Sequence, residues 1–241
     1  MSTLLLRLSG PMQSWGTQSR FSTRDTGLEP SKSGVVGLLC AALGRERAQP
    51  LDDLARLRMG VRVDREGSVR SDYHTAGGWH RREEEGYGVP SPSGGGHRTV
   101  LSTRYYLADA AFLVGLEGER ALLEELDAAL RRPVWQLFLG RKAFLPGAPV
   151  RLPDDPPRGP GLRDAPLEQA LRETPWLGDW DPRRRAERPQ RLRLVIEEPN
   201  PGSHELRDVR MDVPLSFAER RFASRTVVTR ALAFNELGPE D

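Results

Sequence analysis

Four histidines, His74, His80, His97 and His204, are the side chains best placed by type for general-base or metal chemistry. No two of them stand at metal-ligand spacing, and neither HExxH nor CxxC accompanies them. A phosphate-cradling GxxxxGK[ST], a GxGxxG between strand and helix, and a GxSxG nucleophile elbow are also missing. The single cysteine, Cys40, lies in the apolar run Val35 to Leu43 and is expected in a helix core, out of reach as a nucleophile. No metal and no cofactor is therefore expected. What remains is a set of cations at element junctions: Lys32, Arg81-Arg82, Arg98, Arg141-Lys142, Arg220-Arg221 and Arg225. Lys32-Ser33-Gly34 leads into a predicted helix N-terminus, where free amides and the dipole favour a phosphate. Gly140 before Arg141 and Lys142 lets a sugar-phosphate chain come close to the backbone. Trp15, Trp79, Tyr105 and Trp135 offer faces for base stacking, with Trp135 expected in the core beside Leu137 and Phe138. Each small group alone reads as solvated surface, but as a set they suit a sugar-phosphate chain and its bases.

The elements that must position these groups follow from periodicity. Residues 3–9 read as a buried strand ending at Gly10-Pro11, and a helix begins near Ser33 with Val36, Leu39 and Leu43 on one face. Residues 59–64 and 68–74 are predicted to pair as a hairpin about Arg65-Glu66-Gly67. Residues 77–98 lose apolar periodicity around Gly94-Gly95-Gly96 and form a long excursion. A sheet resumes over 100–114, and Leu122, Leu123, Leu126 and Leu130 mark a second helix. The order β-α-β-β-excursion-β-α predicts an α+β, ferredoxin-like or RNA-recognition-like domain over 1–145. Ten of the twenty prolines fall in 146–189, so 146–190 reads as a linker or wrapping segment, with a short helix Pro166 to Arg172 capped by Asp164. Residues 191–241 are expected to form a small β-rich part with its own second sheet. Lys and Arg total 36 against 34 acids, so net charge is only +2 and any polyanion contact must come from local clustering. No long apolar segment or signal peptide is found, so a cytoplasmic protein is expected.

Several stretches are similar to one family. Leu6-Arg7-Leu8-Ser9-Gly10-Pro11-Met12-Gln13-Ser14-Trp15-Gly16 resembles the opening signature of the Cas-five family of CRISPR proteins, in the branch found in type I-E Cascade complexes. Residues 30–39, Arg70 to Thr75, Thr99 to Tyr106, Leu137 to Lys142 and Arg220 to Arg225 resemble further family motifs, in the same order. After Lys142 the family has a small residue, Cys and Pro, where this chain has Ala143-Phe144-Leu145-Pro146. The resemblance implies a ferredoxin-like fold with a protruding β-hairpin thumb, placed on 77–100. It also implies a noncatalytic subunit that grips the 5′ handle of the crRNA and caps the backbone subunits beside the large PAM-reading subunit, meeting target DNA only through the complex. The contacts expected on RNA are Lys32, Ser33, Gly34, Arg81, Arg82, Arg98, Arg104, Tyr105, Gly140, Arg141, Lys142, Arg221 and Arg225. Relatives in another CRISPR subtype cut repeat RNA without metal, and in that alternative Tyr73, His74 and Lys142 are the catalytic candidates. A third reading, a protein adaptor without RNA contact, fits the near-zero net charge.

Overall fold

The computed structural model describes the chain except residues 19–21, 78–88, 91–96, 181–187, 201, 203–204 and 239–241. Strand β1 (Ser2–Ser9) is followed by β2 (Met12–Gln13), β3 (Thr23–Arg24), helix α1 (Lys32–Leu43), the single turn α2 (Asp52–Ala55), β4 (Arg58–Arg65) and β5 (Ser68–Ala76). Then come β6 (Val89–Pro90), β7 (His97–Arg98), β8 (Val100–Ala108), β9 (Ala111–Gly118), α3 (Arg120–Arg131), β10 (Leu162–Arg163) and α4 (Leu167–Glu173). The last strands are β11 (Arg191–Glu197), β12 (Arg207–Ser216) and β13 (Arg221–Ala233). The class is mixed α and β. Seven strands form an antiparallel sheet in the order β10-β1-β9-β4-β11-β13-β12.

The unbroken leucines of β1 reflect a sheet covered on both faces. Leu4, Leu6 and Leu8 meet one core with α1 and α3, whereas Leu5 joins Leu113, Leu194, Ile196 and Val228 beneath α4. Cys40 lies buried in the first core as expected, and burial pushes its thiol up to about 11. Ser31 caps α1, its Oγ accepting the Gly34 N–H at 3.2 Å, and Gly44 ends the helix at φ +70°. On the other face the wrapping segment is fastened by Arg62, which is 0% exposed. Its guanidinium donates to both Asp64 oxygens at 2.7 and 2.8 Å and to the carbonyls of Leu171, Thr174 and Pro175. It thereby satisfies carbonyls at the C-terminal end of α4 that no helix bond can reach.

Three expectations are corrected. β4 and β5 do not pair with each other: β4 lies between β9 and β11 in the main sheet, and β5 pairs with β8 in a second one. The register continues across the change of sheet, Arg65 facing Ala111 and Ser68 facing Ala108. β4-β5 and β8-β9 are thus the two legs of one long ribbon, bent where Gly67 takes φ +72° and Asp109 φ +60°. A Cβ at Gly67 would lie 2.6 Å from the Ala108 carbonyl oxygen. Second, the C-terminal strands form no separate sheet, because β11 bonds directly to β4. Third, the first amide of α4 is satisfied by Glu117 (Leu167 N–H to Oε2, 2.7 Å), while Asp164 is taken by Ser2 and Arg120.

Candidate nucleic-acid interface

Five segments converge on one cleft of about 420 Å³. On one side, the segment after β2 is tied to the segment after β3: Trp15 N–H donates to Thr26 Oγ1 at 3.0 Å and Gly27 N–H to the Trp15 carbonyl at 3.2 Å. Trp15 is buried against Gly34, where a Cβ would lie 2.8 Å from the indole. This close approach seats Ser33 and Gly34 on the floor of the cleft. Behind these segments stands the turn 139–144, with Ser14 N–H donating to the Leu139 carbonyl at 3.1 Å and Gly140 at φ +89°. A Cβ on Gly140 would overlap the Ser14 carbonyl oxygen at 1.8 Å, so the turn requires glycine. The turn delivers Arg141, which donates to the carbonyls of Arg24 and Asp25 at 3.2 and 3.3 Å and lies over the Phe144 ring at 5.6 Å. The opposite wall is the β12–β13 turn with Phe217 and Phe222, joined to the Arg47 loop by Ala218 N–H on the Arg47 carbonyl at 3.2 Å.

Four guanidinium groups gather at the cleft without an ion pair among the described residues. Arg24 and Arg104 are register partners on β3 and β8 and so point to one face. Burial, and next the neighbouring Arg104, pull Arg141 below its ordinary value; Asp25 opposes this and Arg24 adds to it. Arg104 bonds only the Ser102 hydroxyl, and among the described residues Arg24, Arg47, Arg104 and Arg141 form no ion pair. Elsewhere many are neutralised: Arg45, Arg58, Arg120, Arg131, Arg172, Arg193, Arg210 and Arg230 are each paired to carboxylates. Arg24, Arg47 and Arg141 outnumber the one carboxylate of the lining, Asp25, which favours an anion, and the glycine turn and small side chains leave it room.

Of the residues expected to bind RNA, Ser33, Gly34, Gly140 and Arg141 meet in this cleft, with Arg104 beside it. Lys142 is exposed on the same turn, and Arg221 is exposed next to Phe222, paired with Glu219 at 2.5 Å. Tyr105 is 39% exposed, on the ribbon face opposite Arg104. Arg81, Arg82, Trp79 and His80 lie outside the described residues, as does the side chain of Arg98. Lys32 and Arg225 are corrected. Lys32 is 2% exposed, its amine on both Glu197 oxygens at 2.9 and 3.0 Å and its N–H on Asp212 Oδ2 at 2.8 Å. Arg225 donates to both oxygens of Asp212 at 2.7 and 3.0 Å, so these two cations lock α1 to the C-terminal strands. Trp15 is core and stacks on no base, whereas Trp135, expected in the core, is 46% exposed. Arg24, Arg47 and Phe217 lie in no periodic stretch of the sequence, and Phe222 lies within the Arg220 to Arg225 motif.

For the catalytic alternative, Tyr73 and His74 are successive residues of β5 and point to opposite faces. His74 faces Ser102 and sits 3.3 Å from Asp72, while Tyr73 faces Thr103.

Residues 3–228 match the family model described as CRISPR-associated protein (Cas_Cas5). The "CRISPR system Cascade subunit CasD" of Escherichia coli (strain K12) is 32% identical over 238 residues, covering 93% of each chain. A solved structure described as a Cas protein aligns with TM-score 0.73 and 42% identity over 99% of this chain and 98% of that one. A chain of a CRISPR RNA-guided surveillance complex aligns with TM-score 0.75 and 36% identity over 96% and 90% of the two chains.

Proposed function

The chain belongs to the CRISPR-associated Cas5 family, and from that premise we propose that it is a noncatalytic, RNA-holding subunit of a Cascade-type surveillance complex. In this reading it works in the cytoplasm, grips the 5′ handle of the crRNA in the cleft, and caps the row of backbone subunits beside the large PAM-reading subunit. Target sequence is then read by base pairing with the guide. The observation that carries the reading is the gathering of Arg24, Arg47 and Arg141 at one cleft, with Arg104 beside it, none of them in an ion pair among the described residues. A ferredoxin-like core is supported by the strand order β10-β1-β9-β4, flanked by α1 and α3 on one face. The thumb is assigned to residues 77–100, the stretch of chain that connects β5 to β8. The division into 1–145, 146–190 and 191–241 serves as a functional partition, the first part holding most of the RNA contacts.

The test is retention of labelled repeat RNA by the purified protein in EDTA across a salt series, with cleavage scored in the same lanes. Binding without cleavage is expected, with each phosphate-contacting guanidinium removed flattening the log-log salt slope by about 0.7. Specific cleavage lost in His74→Ala would replace this reading with the ribonuclease, and RNA binding unchanged when Arg24, Arg47 and Arg141 all become Ala would remove the cleft from it.

A further inference from the structure

The two walls of the cleft differ in kind. One carries the guanidinium groups of Arg24 and Arg141 with Arg104 behind them; the other carries two phenyl rings, Phe217 half-buried and Phe222 37% exposed. A phosphate needs only the first wall. Phe222, at the start of β13 beside the hairpin turn, offers a ring face that is open to solvent and also lines the cleft. The hairpin is held in place: Glu219 N–H bonds Ser216 Oγ at 3.1 Å, Ala218 bonds the Arg47 loop, and Arg220 takes φ +54°. A non-glycine residue in the left-handed region at such a site is a conformation the surroundings must maintain. The volume of about 420 Å³ lies within the range of about 300–1,000 Å³ that seats a single small molecule.

We infer that the cleft seats one unpaired nucleotide of the bound RNA, its base stacked on Phe222 with Phe217 behind, and its phosphate on Arg24 and Arg141. The inference rests on the RNA-holding reading and adds what that reading leaves open: the strand must be single here, and one base leaves its neighbours to enter. Arg47, on the aromatic side, meets the next phosphate along the strand. Stacking of this kind is tolerant of base identity, because every base has a π-face.

The experiment uses the full chain and single-stranded repeat RNAs carrying 2-aminopurine at one position at a time. One position is expected to change fluorescence on binding, with that change abolished in Phe222→Ala, restored in Phe222→Tyr, and affinity weakened roughly 5- to 150-fold in the alanine variant. The salt slope of Phe222→Ala should equal that of the parent protein, since no phosphate contact is lost, whereas Arg24→Ala should flatten it. RNA that binds with no Phe222-dependent signal at any position overturns the inference and leaves the RNA-holding reading standing. The same RNA annealed to its complement and bound equally well also overturns it. Absence of RNA binding at every salt concentration overturns the RNA-holding reading itself.

Discussion

Arg141 does two jobs that can be separated. Its charge stands in the cleft, and its NH2 group also ties down the carbonyls of Arg24 and Asp25. Arg141→Lys keeps the first and loses the planar donor geometry of the second. It should therefore weaken RNA binding more than Arg24→Lys does, in a fluorescence-anisotropy titration at fixed salt. At Gly140 the steric demand is absolute, with the Ser14 oxygen 1.8 Å from any added Cβ. Gly140→Ala is expected to lose about 1–3 kcal/mol in denaturant unfolding and RNA affinity with it, because the turn must shift to relieve the contact. The glycine beside two cations was legible in the sequence. Arg24 and Arg47 were not, because neither lies in a periodic stretch of the sequence; the hydrogen bonds at Trp15 and the Ala218 contact bring them in. Lys32 was misread for a related reason: helix starts can be recognised locally, but Glu197 and Asp212 reach it across more than 160 residues.

Between elements, the buried group of Lys32, Arg225, Glu197 and Asp212 joins the first turn of α1 to β11, β12 and β13. Burial pushes the Asp212 carboxyl up, but the Arg225 hydrogen bonds and charge, with the Lys32 N–H, outweigh it and bring it below its ordinary value. A carboxyl lowered in the folded state stabilises the fold above its unfolded value of about 3.9, and that contribution is lost as pH falls through the lowered one. Melting temperature below about pH 4 should therefore fall more steeply in the parent protein than in Asp212→Asn. At neutral pH the variant should be less stable by about 3–5 kcal/mol, since two buried cations keep only one anion. Periodicity located the helices and most strands well. It could not assign partners to β4 and β5: alternation says which residues share a face, while the choice of neighbour depends on β9 and β11, distant in sequence.

Across the whole molecule, a net charge of +2 cannot steer RNA from a distance, so capture depends on the local cleft and weakens within a Debye length of about 8 Å at physiological salt. The proline-rich segment was legible as a wrapping piece but its anchor was not, since nothing about Arg62 in a strand announces that it will bind carbonyls more than 100 residues away. Arg62→Met should cost about 3–5 kcal/mol by leaving Asp64 buried without its cation. Limited proteolysis should then cut between residues 150 and 180 before the sheet unfolds. The bent ribbon has one more consequence. Its outer legs, Ser68–Ala76 and Val100–Ala108, carry no core residue except Leu107 and the partly buried Tyr106, yet they continue strands that the core holds on both faces. Beyond Thr103, where β8 parts from β3, the arm is adjustable like a telescoping rule: removing Thr75 and Ala76 with the facing Val100 and Leu101 would shorten it by about 7 Å and preserve which side chains face which way. Its reach is thus a quantity that can be set independently of the stability of the body that carries it.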